Sequence, residues 1–216
     1  MAKIRDYQGE GITVQYELKR CIHAEKCVHG LPTVFMRNVH PWIQPEHATA
    51  DELAAVIEQC PTGALHYQRT DDGPPEAIPQ ENTIRMDPNG PLHVRGNVEI
   101  VSSTGSLILN DTRVALCRCG ASQFKPFCDN SHIAAGFTDP GLPATNKIED
   151  VTDGETRLVI TLNQNGPIGI AGNFRILNAD GEVVFQGTET WLCRCGGSQN
   201  KPFCDKTHRT NGFQAE

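Results

Sequence analysis

Apolar and polar residues alternate through "ITVQYEL", placing Ile12, Val14, Tyr16 and Leu18 on one side of a half-buried strand. The period then changes. In "ATADELAAVIEQC", Leu53, Val56, Ile57 and Cys60 share one face of a helix, and Thr49 with Glu52 has the spacing of a capping box. Pro61 stops this helix, and "ALHYQ" reads as a closing strand. These elements predict a first module over residues 1–70.

From Asn82 onward the pattern is strand-like and occurs twice. "TIRM", "LHVRG", "NVEIV" and "SLILN" are predicted strands separated by Asn-Gly, Gly-Asn and Thr-Gly-Ser turns. "RLVITL", "IGIAG", "NFRIL" and "EVVFQ" repeat the series at a constant offset of 76 residues, with Gly96, Asn97 and Gly105 matching Gly172, Asn173 and Gly181. The match extends through Gly136-Phe137 and Gly212-Phe213. Each copy ends in a short predicted helix, "FCDNSHIAAGF" or "FCDKTHRTNGF", with Asp129 or Asp205 in its first turn beside free N–H groups. The expected class is α+β. Its modules are 1–70, 82–140 and 158–216, joined by linkers 71–81 and 141–157, with the two copies packed about a pseudo-two-fold axis.

Composition sharpens this. Aromatics are only 6% of 216 residues, while glycine and proline number 20 and 14, so small modules need staples beyond an apolar core. The chain has nine cysteines, an odd number, and no apolar leader follows "MAKIRDYQGE". Reduced thiols in a cytoplasmic protein without a membrane segment are expected, which favours metal ligation over disulfides. A net charge of −7 argues against nucleic acid as a partner. Four of the acids, Asp71, Asp72, Glu76 and Glu81, fall in the Pro-rich stretch 71–81, and four more in "EDVTDGE" (149–155); both read as solvated linkers.

The chemistry lies in "CRCGASQFKPFCDNSH" and "CRCGGSQNKPFCDKTH". Cys117 and Cys119 on an extended turn can reach one centre, and Cys128 and His132, four apart on the short helix, stack on one face. Cys193, Cys195, Cys204 and His208 repeat the set. Ser122 and Ser198 can satisfy loop backbone, and Pro126 and Pro202 stiffen the approach to the helix. Buried thiols can simply fill a core, but a motif that recurs whole in an aligned repeat points to ligands. Three thiolates and an imidazole suit one tetrahedral zinc ion or a [2Fe–2S] cluster with two ligands per iron, and spacing does not choose between them. The two-residue knuckles of zinc ribbons are absent from both copies.

The pattern C-x-C-x2-S-x3-P-x-C-D-x-[ST]-H resembles the signature of the CDGSH iron–sulfur, or NEET, family over Cys117–His132 and Cys193–His208. The resemblance implies one [2Fe–2S] cluster per copy. Cys117 and Cys119 would hold the inner iron and Cys128 and His132 the outer one, with Cys193, Cys195, Cys204 and His208 doing likewise. Asn130 and Lys206 stand where the family has glycine, a departure that concerns turn geometry. A tandem in one chain resembles the family's monomeric members, which are internal pseudo-dimers, and covalent linkage lowers the cost of association. Arg118 and Arg194, each between two ligating cysteines, can hydrogen-bond cluster sulfide or simply pair on the surface; their presence in both copies favours the former.

The first module carries Cys21 and Cys27 in "CIHAEKC" and Cys60 before Pro61; Cys-Pro is a ferredoxin ligand signature. Residues 7–68 resemble the divergent mono-cluster ferredoxin domain. Ala24 replaces a middle cysteine, so three thiolates suit a [3Fe–4S] cluster, or a [4Fe–4S] cluster with a fourth ligand such as His23. His29, His40, His47, His66 and His93 lack ligand spacing, although His40 and Trp42 can cover the cluster.

No Gly-rich phosphate loop and no Ser-His-Asp spacing is present. The expectation is therefore a three-cluster, single-electron carrier, not itself an enzyme, that serves a redox partner or an oxidoreductase as accessory subunit. Cluster storage and donation to apo-proteins is one alternative; a zinc-stabilised interaction module is another.

Overall fold

The computed structural model describes residues 3–143, 146–149 and 156–215. The chain divides into two compact units, Met1–Ala77 and Ile78–Glu216.

In the first unit, β1 (Ile4–Gly9), β2 (Ile12–Glu17) and β3 (Leu65–Arg69) form an antiparallel sheet in that order, with the alternating strand β2 at the centre. Helix α1 (Lys26–Gly30) follows the first two cysteines, and α2 (Ala50–Ile57) covers the sheet. The capping box forms: Glu52 N–H donates to Thr49 Oγ1 at 3.3 Å, and Thr49 N–H donates to Glu52 Oε2 at 2.9 Å. Ile12, Val14 and Tyr16 pack with Phe35, Ile43, Leu53 and Ile57 in one core. Full burial of each aliphatic side chain contributes about 1.5–3 kcal/mol.

Two details differ from the periodicity. Leu18 leaves the strand for a 3-10 turn and is exposed. Helix α2 ends at Ile57, so Cys60 lies beyond it and is not on its apolar face. The acidic stretch 71–81 is exposed along most of its length and spans the division between the units, but side-chain bonds pin it at three points. Asp71 accepts two bonds of 2.7 Å from the Arg69 guanidinium, Glu76 bonds His66 at 2.9 Å, and Glu81 pairs with Arg175 at 3.0 Å. Of the second acidic run, residues 150–155 lie outside the described residues, as do 144 and 145 of the expected 141–157 linker.

The second unit holds β4 (Thr83–Met86), β5 (Leu92–Ser102), β6 (Leu107–Leu116), α3 (Ser131–Ala134), β7 (Lys147–Ile148), β8 (Arg157–Leu162), β9 (Ile168–Leu177) and β10 (Val183–Leu192). The Gly-Asn pairs do not turn the chain. Each lies inside one long strand, β5 or β9, where a neighbour changes. Along one edge β5 pairs throughout with β6. Along the other it pairs antiparallel with β4 up to Arg95, then parallel with β8 from Asn97. Strand β9 does the reciprocal: β10 on one edge, β8 and then β4 on the other. The ring β4–β5–β8–β9–β4 is thus closed, a small barrel with no free edge among these four strands.

The handover requires glycine. Gly96 has φ +155° and Gly172 φ +114°; a Cβ would strike the Asn82 side chain at the first and the Arg157 carbonyl at the second. Asn82 fastens the junction by donating from Nδ2 to the carbonyls of Thr156 and Asn173 at 2.9 and 2.8 Å. Inside, Ile84, Val94, Ile100 and Leu116 share a single core with Leu158, Ile170, Ile176 and Leu192. The two copies therefore fold as one body.

Candidate metal centres

Each CDGSH stretch begins where β6 or β10 ends. The loop folds back so that Cys117 N–H donates to Pro126 O at 2.8 Å and Cys128 N–H to Ala115 O at 2.8 Å. This antiparallel return brings Cys128 beside Cys117. The second copy repeats it, with Cys193 N–H to Pro202 O at 2.7 Å and Cys204 N–H to Trp191 O at 2.9 Å. Ser122 Oγ donates to Phe127 O and Ser198 Oγ to Phe203 O, both at 2.7 Å, bracing the loops from inside.

The donors pair two by two. Cys117 Sγ lies 3.7 Å from Cys119 Sγ, and Cys128 Sγ 3.5 Å from His132 Nδ1. The second copy has Cys193 and Cys195 at 3.8 Å, and Cys204 and His208 at 3.4 Å. With metal–sulfur bonds of about 2.3 Å and metal–nitrogen bonds of about 2.0–2.1 Å, two sulfurs on one tetrahedral metal sit about 3.7–3.8 Å apart, and a sulfur and an imidazole nitrogen about 3.6 Å apart. Each pair spans one tetrahedral edge. Among the described residues, no three His, Cys, Asp or Glu side chains converge on a point that one ion could occupy. Each site thus offers three thiols and one imidazole in two adjacent pairs.

The helix reading of the Cys/His pair needs correction. Cys128 precedes α3, and in the second copy a 3-10 turn (Thr207–Arg209) replaces the helix. What folds the histidine back is a left-handed residue between the ligands, Asn130 at φ +68° and Lys206 at φ +73°. Asp129 likewise lies before the helix, not in its first turn. Its carboxylate accepts from Gln123 N–H at 2.7 Å and Ser131 N–H at 3.0 Å, joining loop to turn. Asp205 does the same with Gln199 and Thr207, and these bonds hold its carboxyl at about 2.

Backbone N–H groups surround the sulfurs. Ala121 and Gly197 donate to Cys119 and Cys195 at 3.4 Å, and Asn130 and Lys206 donate to Cys128 and Cys204 at 3.5 and 3.4 Å. The hydrogen bond from Cys117 pulls the Cys119 thiol down to about 6, while that bond and burial push Cys117 up. Burial lifts Cys128 and Cys193 to about 11, so these two thiols lose their protons when a metal replaces them.

The Cys-x-Cys loops of the two copies abut. Gly120 and Gly196, at φ +79° and +76°, lie so close to the other loop that a Cβ would overlap the carbonyls of Cys195 and Cys119 respectively. Phenylalanines lock the arrangement crosswise. Phe137 has the Arg118 guanidinium at 5.3 Å and Lys201 of the other copy at 5.8 Å; Phe213 has Arg194 at 5.8 Å and Lys125 at 6.0 Å. Residue patterns alone did not single these rings out, although both recur at the repeat offset.

Arg118 and Arg194 are both buried. Arg118 donates to Gly90 O at 3.0 Å, to Asp139 Oδ1 at 2.5 Å and to Asp87 O. Arg194 donates to Asn163 O at 3.3 Å. These bonds go to protein oxygens and tie the turn before the second strand of each copy to the Cys-x-Cys loop.

In the first unit, Cys21, Cys27 and Cys60 line one cavity of about 560 Å³, with Pro61, Trp42 and Tyr16 in its wall. His23 and His40 line it as well. His23 and Glu25 hold left-handed backbone, φ +56° and +62°, to bend the loop between the first two cysteines. Burial lifts the Cys27 thiol to about 11. Tyr16, read from sequence as core alone, also lines this cavity, where burial and the neighbouring Cys21 push its phenol up, and Cys60 Sγ lies 3.5 Å from Thr62 Oγ1.

A family profile described as "Divergent 4Fe-4S mono-cluster" matches residues 7–70, and one described as "Iron-binding zinc finger CDGSH type" matches 89–133 and again 165–209. The chain is a tandem CDGSH protein fused to a divergent mono-cluster domain. The mono-cluster domain is 38% identical over 64 residues to the uncharacterized protein YjdI of Escherichia coli K12, and equally to that of Escherichia coli O157:H7. Each match covers 30% of this chain and 84% of the relative. The tandem CDGSH protein is thus an iron–sulfur protein. Among its described residues no helix is long and apolar enough to cross a membrane.

Proposed function

We propose that the protein is a single-electron carrier with two Cys3His [2Fe–2S] centres and one [4Fe–4S] or [3Fe–4S] centre, exchanging electrons with a partner protein. The two-by-two pairing of donors on tetrahedral edges carries this reading. Two irons bridged by sulfide need two protein ligands each, and Cys117 with Cys119 and Cys128 with His132 supply such pairs. When bound, such centres supply reversible one-electron storage. The chain's own part is to fix the ligands by backbone return, shield the inner cysteines, and leave the imidazoles half-buried near the surface. The reciprocal strand pairings support an approximate two-fold relation between the copies.

At the first unit, the family description favours [4Fe–4S] over [3Fe–4S]. His23 lines the same cavity as the three cysteines and is the nearest candidate for a fourth ligand. Neutral imidazole carries less charge than thiolate, which raises the potential of a mixed site and lets acid compete for the ligand. Iron and acid-labile sulfide analysis of anaerobically purified protein tests the reading. Sulfide with reversible bleaching by dithionite is expected; a colourless, folded zinc protein would overturn it. Mixing with an apo-ferredoxin separates carrier from donor: a carrier passes electrons and keeps its iron.

A further inference from the structure

The two CDGSH copies share a backbone but not its charges. In the first copy Asn89 N–H donates to Asp139 O at 2.7 Å and Asp139 N–H to Asn89 Oδ1 at 2.8 Å; in the second Asn165 N–H donates to Ala215 O at 2.8 Å and Ala215 N–H to Asn165 Oδ1 at 2.9 Å. The frame is kept and a carboxylate becomes a methyl group. Asp87, beside the first site, likewise corresponds to Asn163. Both copies sum to zero net charge, five bases against five acids in 82–140 and in 158–216, so the difference is one of placement.

Placement decides because buried charges are weakly screened. Arg118 is buried, and Asp139 is bonded to it with only 15% of its side chain exposed. Asp87 lies nearby, bonded to His93 Nε2 at 2.7 Å and to the half-exposed Arg85. Its negative field reaches both Cys128 and His132. The second copy places Asn163 and Ala215 at these positions and adds two cations, Lys206 and Arg209, on the turn bearing His208. Several differences oppose these. Glu189 stands at the position of Arg113, exposed and four residues up the strand from Cys193, Asp180 and Glu182 stand at Thr104 and Ser106, and Thr161, Gly169 and Ala171 replace Arg85, His93 and Arg95.

We infer that the two CDGSH sites are redox-inequivalent, the Cys193–His208 site holding an electron more favourably than the Cys117–His132 site because Asp87 and Asp139 flank only the first. An electron shared by the sites passes from the first, which is oxidised, to the second, which is reduced by the same single electron. No atom moves. The abutting Gly120 and Gly196 loops bring the two inner cysteine pairs together for that exchange. The inference rests on the [2Fe–2S] reading above.

The test is a reductive titration of the full chain followed by EPR. Two one-electron two-iron steps are expected, at least tenfold apart in equilibrium constant, or about 59 mV for one electron. His132→Cys marks the first site and should move only the lower step. Asp87→Asn with Asp139→Asn should raise the lower step toward an unchanged upper one. Should that double variant not fold, Asn163→Asp should lower the upper step alone. Coincident steps in the parent, an upper step that moves with His132→Cys, or a gap unchanged in the carboxylate variants would overturn the inference. A chain lacking sulfide and any two-iron signal removes the [2Fe–2S] reading as well, whereas a two-iron signal titrating in one step removes this inference alone.

Discussion

The sulfur of Cys128 approaches Nδ1 of His132 to 3.5 Å although only the histidine belongs to a helix. The contact depends on a left-handed Asn130, so the outer ligand pair rests on a turn and its imidazole is half-buried. Burial holds His132 below the ordinary histidine range, against weaker Coulombic help from Asp129. The neutral form is therefore favoured in the folded chain, and its contribution to stability fades as pH falls below about 6.5. Metal binding favours the same form. Cluster absorbance should decay progressively faster as pH falls below 6.5, and His132→Cys should slow the decay from that site several-fold. Equal decay rates in parent and variant at acid pH would rule out imidazole protonation as the trigger.

Gly120 and Gly196 sit at positive φ against the carbonyls of Cys195 and Cys119. Gly120→Ala and Gly196→Ala should each destabilise the second unit by more than about 2 kcal/mol, combining strain with backbone overlap. Urea titration reads this directly. Gly105→Ala is the control: it also has positive φ, but open space surrounds its Cβ, so it should cost less.

Lysine is poorly suited to left-handed backbone, and Lys206 has φ +73°. Lys206→Gly should stabilise the protein by about 1 kcal/mol, the relief of strain exceeding the entropy glycine adds to the unfolded chain. Asn130→Gly should do less, since asparagine tolerates that region. Paired melting curves check the order of the two effects.

Tyr16 lies beside Cys21 in the wall of the first-unit cavity, within reach to donate its hydroxyl to that sulfur. Tyr16→Phe should lower the potential of that centre, because hydrogen bonds to ligand sulfur stabilise the reduced, more negative state. The two-iron signals should not move. An unchanged potential with full iron content would assign Tyr16 to packing alone.

Much of this was legible in the residues. Repetition at a fixed offset singled out both Cys3His sets, and the structure places Cys117 beside Cys119, Cys128 beside His132, and their counterparts likewise. The Thr49–Glu52 capping box and most strands were legible because each is local. What escaped was non-local. Gly96-Asn97 has the chemistry of a turn, yet acts as a bulge because strands from both copies compete for one edge of β5. Arg118 lies between two cysteines in sequence, and the oxygens it bonds, on Asp87, Gly90 and Asp139, are ones that only folding brings near. The helix drawn through Cys128 failed at Asn130, whose left-handed conformation no hydrophobic period reports.

The strand exchange at Gly96 and Gly172 bears on biosynthesis. Thr83 of β4 must wait for Arg175 of β9, a partner synthesised 92 residues later (175 minus 83). The first copy therefore leaves the ribosome with one of its strand edges unmatched, and cannot reach its final shape ahead of the second. Until β9 arrives, that bare edge is open to a neighbouring nascent chain, so crowded expression should favour swapped dimers in which two polypeptides trade halves.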